Sequence, residues 1–203
     1  GKPIISRVLQ ELKKFKIFDK IVVSTNSSKI KNIVNKLGVE VLSRSEKLSD
    51  DYTDTKTVVV DVIKKLEKKN LNFDKVFCVY PTSIFLKLKH LKLAISKLKK
   101  KSSFIYSAKK YEHTIFRSFY KDQSGKIRLN FKRNQSRNTQ SFKESYYDAA
   151  QFYLGWKNSW IREKKIFNER SDFVLFSRLS SSDIDNYEDF KDGVSVVVLY
   201  IYV

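Results

Sequence analysis

Two hydrophobic periods take turns along this chain, and that alternation restricts its fold more than any other feature. Ile4, Ile5, Val8, Leu9, Leu12 and Phe15 recur at the three- and four-residue spacing of one helix face. Residues 19–25 (DKIVVST) then form a short apolar run, the pattern of a buried strand. Ile30, Ile33, Val34 and Leu37 make a second helical stripe, closed by Gly38, a residue suited to a helix C-terminus. A short strand is expected over residues 39–42 and a third helix around Val59, Val62, Ile63 and Leu66. Residues 75–80 (KVFCVY) form a continuous apolar strand that Pro81 ends. Residues 88–98 return to the helical period, and residues 103–107 read as strand. Strands that are apolar on both faces and alternate with helices belong to an α/β fold, a doubly wound and mostly parallel sheet covered by helices on both sides. The pattern opens on a helix. A βαβ unit needs a strand first, so a strand is expected before Gly1.

The second half changes character. Residues 114–121 and 126–131 predict a hairpin around Gln123-Ser124-Gly125. Polar residues fill 132–147. A strand is expected over 151–156, a short helix from Trp160, and a last strand over 172–177. No composition shift marks a linker, so residues 1–203 are expected to form one domain with a late β-rich insertion.

Charge tests the function classes. The 41 Lys and Arg against 22 Asp and Glu give a net charge of +19, a balance that invites a nucleic-acid partner. The lysines, however, are interleaved with the apolar stripe, as at Lys87, Lys89, Lys92 and Lys97 beside Leu88, Leu91, Ile95 and Leu98. That is the pattern of a solvated helix face. A polyanionic small substrate such as a nucleoside triphosphate would be drawn to the same field. The single cysteine, Cys78, lies in an apolar run and reads as a core thiol, which fits a reducing cytoplasm. The apolar stretch over residues 196–203 is too short to span a bilayer, so no membrane partner is expected.

Polar clusters follow three of the strands, where ligands of open α/β sheets bind. They are Ser24-Thr25-Asn26, residues 44–55 (RSEKLSDDYTDT), and Tyr80-Pro81-Thr82-Ser83. Each also fits plain N-capping of the helix that follows. Asp183-Ile184-Asp185 places two carboxylates on the same side of an extended segment, able to share one hard cation, or else forms an ordinary surface loop. His90 and His113 are the only histidines, and no Ser/His/Asp set, CxxC pair or Walker loop can be assembled. Metal-assisted nucleotidyl transfer needs none of these.

In order along the chain, these segments resemble the sugar-activating cytidylyltransferases. Residues 1–5 (GKPII) and 18–25 (FDKIVVST) are similar to the family's opening helix and strand. Arg44 with Leu48, Asp50, Thr53 and Thr55 is similar to its loop after the next strand, and residues 80–83 (YPTS) to its PTS turn. Residues 147–153 (YDAAQFY) resemble a segment typical of the pseudaminic acid branch, and residues 183–190 (DIDNYEDF) its DID motif.

The resemblance implies a Rossmann-like nucleotide-diphospho-sugar transferase fold, a homodimer, and the reaction of CTP with a nonulosonic acid to give the CMP-sugar and pyrophosphate. The product would serve surface glycan or flagellin glycosylation. By match, Ser24, Arg44, Thr53 and Thr55 would line the nucleotide site. Tyr80, Thr82, Ser83, Gln151, Phe152 and Tyr153 would shape the sugar pocket. Asp183 and Asp185 would hold Mg²⁺ and act catalytically. The family's first strand and triphosphate-cradling basic loop are expected before Gly1. This chain departs from the pattern at Tyr80, Ala150 and Leu154, where relatives carry Gln, Gly and Trp, and over residues 193–203. The alternative substrates are sialic, legionaminic and 3-deoxy-manno-octulosonic acids. The alternative from another class is a basic nucleic-acid-binding module.

Overall fold

The computed structural model describes residues 3–50 and 52–177. The helices are α1 (Ile4–Phe15), α2 (Ser28–Lys36), α3 (Thr55–Glu67), α4 (Leu88–Lys97) and α5 (Lys157–Arg162). The strands are β1 (Val22–Thr25), β2 (Glu40–Ser43), β3 (Lys75–Val79), β4 (Phe104–Lys110), β5 (Phe119–Lys121), β6 (Ile127–Leu129), β7 (Tyr146–Trp156) and β8 (Asp172–Leu175). The expected alternation is therefore present from α1 to β4, and the hairpin follows as β5 and β6.

β1 and β2 pair in parallel, and a second sheet has the order β3-β7-β4-β8. β4 and β8 are parallel, while β7 runs against both β3 and β4. A continuous apolar run requires two covered faces but carries no direction, so the reversal of β7 could not be read from its residues. β7 is also longer than the expected 151–156, because Tyr146, Tyr147 and Asp148 pair with β4 beyond an irregularity between Tyr106 and Ala108.

Alternation along β3 and β7 sorts side chains onto two faces. Phe77, Val79, Phe152 and Leu154 join Val8 and Leu12 of α1 and Leu91 and Ala94 of α4. Val76, Cys78, Tyr80 and Tyr153 face Val59 and Ile63 of α3 and Trp160 of α5. Leu9, on the neighbouring stripe of α1, packs with Val34 and Val39 beside β1 and β2. One amphipathic helix thus bridges the two sheets. Each fully buried large apolar side chain is worth roughly 1.5–3 kcal/mol. Gly155 permits the closest approach, since a Cβ there would stand 2.6 Å from the Phe104 ring. Burial pushes the Cys78 thiol up to about 12, which makes it an inert core group. No helix among the described residues is long and apolar enough to cross a membrane.

Candidate active site

The carboxyl ends of β1, β2 and β3 carry the polar clusters, and the helix caps beside them are not the expected site residues. Ser27 caps α2, its Oγ accepting from the Ile30 N–H at 3.4 Å. Asp54 caps α3, accepting from the Thr57 N–H at 2.6 Å. The N-cap position of α4 is Lys87, four residues beyond Ser83. The hydroxyls of Ser24, Thr55 and Thr82 are therefore not used as caps. The Ser24 Oγ is buried and has no hydrogen-bond partner among the described residues.

Arg44 continues β2 and is held beside the end of β1. Its N–H donates to the Thr25 carbonyl at 3.1 Å, and its Nε donates to the Ser49 Oγ at 3.1 Å. Thr53 is fixed by Asp50, which accepts from both its N–H and its hydroxyl at 2.7 Å. These bonds hold the Asp50 carboxyl below its ordinary range.

The densest contacts lie where β3 ends against β7. The Gln151 carbonyl accepts from the Tyr80 N–H at 3.2 Å and from the Ser83 hydroxyl at 2.7 Å. The Tyr80 hydroxyl meets the Thr55 hydroxyl at 2.7 Å, joining the turn after β3 to the first turn of α3. Tyr80 and Tyr153 pack edge to face with ring centroids 5.9 Å apart. The Tyr153 hydroxyl donates to Asp148 Oδ2. Burial, then Asp148, pushes the Tyr153 phenol up, and burial does the same for Tyr80.

Of the expected residues, Thr55, Tyr80, Ser83, Gln151 and Tyr153 thus meet around one junction. Ser83 is 2 % exposed and Gln151 is fully buried, with its Oε1 lacking a partner among the described residues, so both sit behind the surface. Phe152 lies in the core against Phe77 and Phe176. Arg44, Thr53 and Ser24 belong to the adjoining β1–β2 end. Asp183 and Asp185 lie outside the described residues. Among the described residues no cluster of His, Cys, Asp and Glu could hold a metal ion.

Two residues were not singled out from the sequence. Asp148 anchors Tyr153. Ser107 is fully buried, and its Oγ accepts from the Gln151 N–H at 2.9 Å and the Phe152 N–H at 3.3 Å at the strand irregularity. The Asp148 signal was present in residues 147–153, but nothing in spacing distinguishes an anchoring carboxylate from a surface one. A shallow cleft of about 470 Å³ lined by Asp74, Lys100, Trp156 and Arg162 opens at the opposite ends of β3 and β7 and shares none of these groups.

A model of the cytidylyltransferase family matches residues 1–201. This chain belongs to that family. Its members transfer a cytidylyl group from CTP, so the chain is a nucleotidyltransferase and the nucleic-acid-binding alternative falls away. It is 31% identical over 193 residues to the pseudaminic acid cytidylyltransferase of Campylobacter jejuni subsp. jejuni serotype O:2, covering 94% of this chain and 83% of that protein. It is 27% identical over 194 residues to the Helicobacter pylori protein named pseudaminic acid cytidylyltransferase and UDP-2,4-diacetamido-2,4,6-trideoxy-beta-L-altropyranose hydrolase, covering 94% of this chain and 37% of that protein. Its fold is similar to that of CMP:2-keto-3-deoxy-manno-octonic acid synthetase complexed with CTP, with a TM-score of 0.68 over 100% of this chain and 90% of that one, at 8% identity. The Rossmann-like cytidylyltransferase fold expected from the sequence is thereby shown.

Proposed function

We propose that this cytidylyltransferase activates pseudaminic acid, taking CMP from CTP and releasing pyrophosphate. The observation that carries the choice of sugar is the 31% identity to a relative of that name, joined to the role of residues 147–153 in building the junction at the end of β3. In the reaction the sugar's anomeric hydroxyl forms a bond to the α-phosphorus. The bond from that phosphorus to the bridging oxygen breaks, pyrophosphate leaves with the electron pair, and the hydroxyl's proton passes to water. Arg44 supplies positive charge beside the phosphates, and Ser24, Thr53 and Thr55 line the nucleotide side. Tyr80, Thr82 and Tyr153 face the sugar, while Ser83, Gln151 and Phe152 shape the wall behind them. A cleft that holds the attacking hydroxyl in line supplies much of the rate by positioning alone.

Asp183 and Asp185 are assigned to a divalent ion, Mg²⁺, on the chemistry of their donors: two hard carboxylate oxygens two residues apart. When bound, such an ion shields the phosphates and polarises the attacked centre. The chain is read as one domain acting as a homodimer in the cytoplasm, where CTP is made. The hairpin β5–β6 supports the dimer, since it exposes Phe119 and Ile127, each 63% accessible. The test is pyrophosphate release from CTP with a panel of pseudaminic, legionaminic, sialic and 3-deoxy-manno-octulosonic acids. The highest kcat/KM is expected with pseudaminic acid. Release with none of them, or preference for another acid, overturns the assignment.

A further inference from the structure

The guanidinium of Arg44 is held by one nitrogen. Its Nε donates to the Ser49 Oγ at 3.1 Å. The Ser49 hydroxyl has a single proton, and it goes to the Ser45 carbonyl at 2.8 Å. A carbonyl only accepts and Nε only donates, so the direction of both bonds is fixed. Ser49 is itself tied down, since its N–H donates to the Glu46 carbonyl at 2.8 Å and closes the helical turn Glu46–Leu48. Arg44 and Ser49 are both half-buried, so water competes little for the Nε bond. A guanidinium bonded through Nε keeps its far edge, where Nη1 and Nη2 offer their protons side by side. Among the described residues neither of these two nitrogens has a hydrogen bond or an ion pair.

The strand pattern gives the side on which this edge lies. Glu40, Leu42 and Arg44 alternate onto one face of β2 and its extension, and Ser24 pairs in register with Leu42 and shares that face. It is the face covered by α3. Lys69, just past that helix, pairs with Glu40, and Lys65 donates to the Ser43 carbonyl at 2.6 Å. α3 therefore runs back along β2, and its first turn, with Thr55, lies beyond the carboxyl end of the strand. Ser24, Arg44 and Thr55 thus belong to one side of the sheet.

We propose that Ser49 is a positioning residue for Arg44: by accepting from Nε it fixes the plane of the guanidinium and leaves Nη1 and Nη2 as a fork for two neighbouring acceptor atoms of the nucleotide. The acceptors are two phosphate oxygens or the O2 and N3 atoms of the cytosine ring. This rests on the reading of Arg44 as part of the nucleotide site. A long side chain ordered before CTP arrives loses less freedom when it binds.

The test is calorimetric titration with CTP, which needs no turnover, beside the KM for the sugar acid. Ser49→Ala should weaken CTP binding by about threefold to tenfold, the cost of ordering the arginine only on binding, and leave the sugar KM unchanged. Ser49→Thr keeps the hydroxyl and should bind CTP as the wild type does. In an Arg44→Ala background Ser49→Ala should have no further effect. UTP and cytidine locate the acceptors, since UTP carries a proton on N3 and cytidine has no phosphate. A Ser49→Ala loss that persists with UTP and vanishes with cytidine places phosphate in the fork, and the reverse places the base there. A merely structural Ser49, one that only closes its own turn, would weaken CTP and the sugar acid alike and would do so equally without Arg44. Either result overturns the proposal.

Arg44→Ala separates this inference from the reading beneath it. If that change leaves CTP affinity as it was, Arg44 is no nucleotide ligand and both fall. If it weakens CTP while Ser49→Ala does not, only the role of Ser49 falls. A further readout serves if Ser49→Ala fails to fold. In wild-type protein with nitrogen-labelled arginine, the Arg44 Nε proton, assigned by its absence from Arg44→Ala, should exchange with water far more slowly than that of free arginine. Exchange as fast as in free arginine refutes the bond to Ser49 and with it the proposal.

Discussion

Ala150 holds a backbone φ of 47°, a conformation that costs a residue with a Cβ about 1–2 kcal/mol. Its N–H donates to Asp148 at 3.0 Å, and the next two N–H groups are taken by Ser107. The strain is thus held in place by three hydrogen bonds that turn the chain from the Asp148 anchor into the buried part of β7. Glycine would adopt the same φ without the Cβ penalty but loses more freedom on folding, about 0.5–1 kcal/mol. Ala150→Gly is therefore expected to raise stability by about 0.5 kcal/mol with the site geometry unchanged. The measurement is the urea midpoint at constant slope, together with kcat/KM. A lower midpoint would mean that packing of the methyl group outweighs the relief of the positive φ.

In α4 the residue that matters most for pH is His90, which ties the helix start to the core. Its Nδ1 accepts from the Lys87 N–H at 3.2 Å, and its ring lies 4.2 Å from that of Phe176. Burial, with the charges of Lys89 and Lys87, lowers its pKa from 6.5 to about 4. The folded state thus keeps His90 neutral where the unfolded chain would protonate it. Its contribution is complete above about pH 6.5 and is lost as pH falls toward 4, by on the order of 2 kcal/mol. His90→Gln keeps an acceptor at the third helical position and does not titrate. It should flatten the fall in melting temperature between pH 6.5 and 4. An unchanged acid limb would place the loss on the carboxylates instead. At this scale the sequence was informative about location and silent about direction. Periodicity and Gly38 located α1 to α4 and the strands between them, because burying one face imposes a period. The reversal of β7, its extension to Tyr146 and its place between β3 and β4 come from pairing partners far along the chain. α5 begins at Lys157, three residues before the expected Trp160, because only Trp160 of that short helix is buried. The junction of Thr55, Tyr80 and Tyr153 was legible as a set of residues through resemblance. The bonds that order it were not, since Asp148 and Ser107 matter through geometry across strands.

The whole molecule carries two surface properties that residues and elements do not decide. The first is the hairpin, a two-stranded sheet with few neighbours, which is marginal when left in water. A second copy covering Phe119 and Ile127 would stabilise it. Phe119→Lys with Ile127→Glu should shift the mass measured by light scattering from two copies to one, and a native protein already of single-copy mass would refute the dimer. The second is the field of the +19 net charge. Several cations are paired locally, as Lys20 and Lys69 are with Glu40 and Lys65 is with Asp61. Such a field attracts a ligand in proportion to its charge. CTP carries several negative charges and a nonulosonic acid carries one. Raising ionic strength from about 0.1 M to about 1 M shortens the screening length from roughly 10 Å to roughly 3 Å, leaving contact ion pairs and removing the long-range part. The KM for CTP should then rise by about an order of magnitude, that for the sugar acid by far less, while kcat holds, because chemistry inside the cleft is little screened. Initial rates in sodium chloride, with each substrate varied in turn, measure this. Equal increases for both substrates would show that salt acts on the fold or on the dimer, and that the excess charge plays no part in gathering CTP.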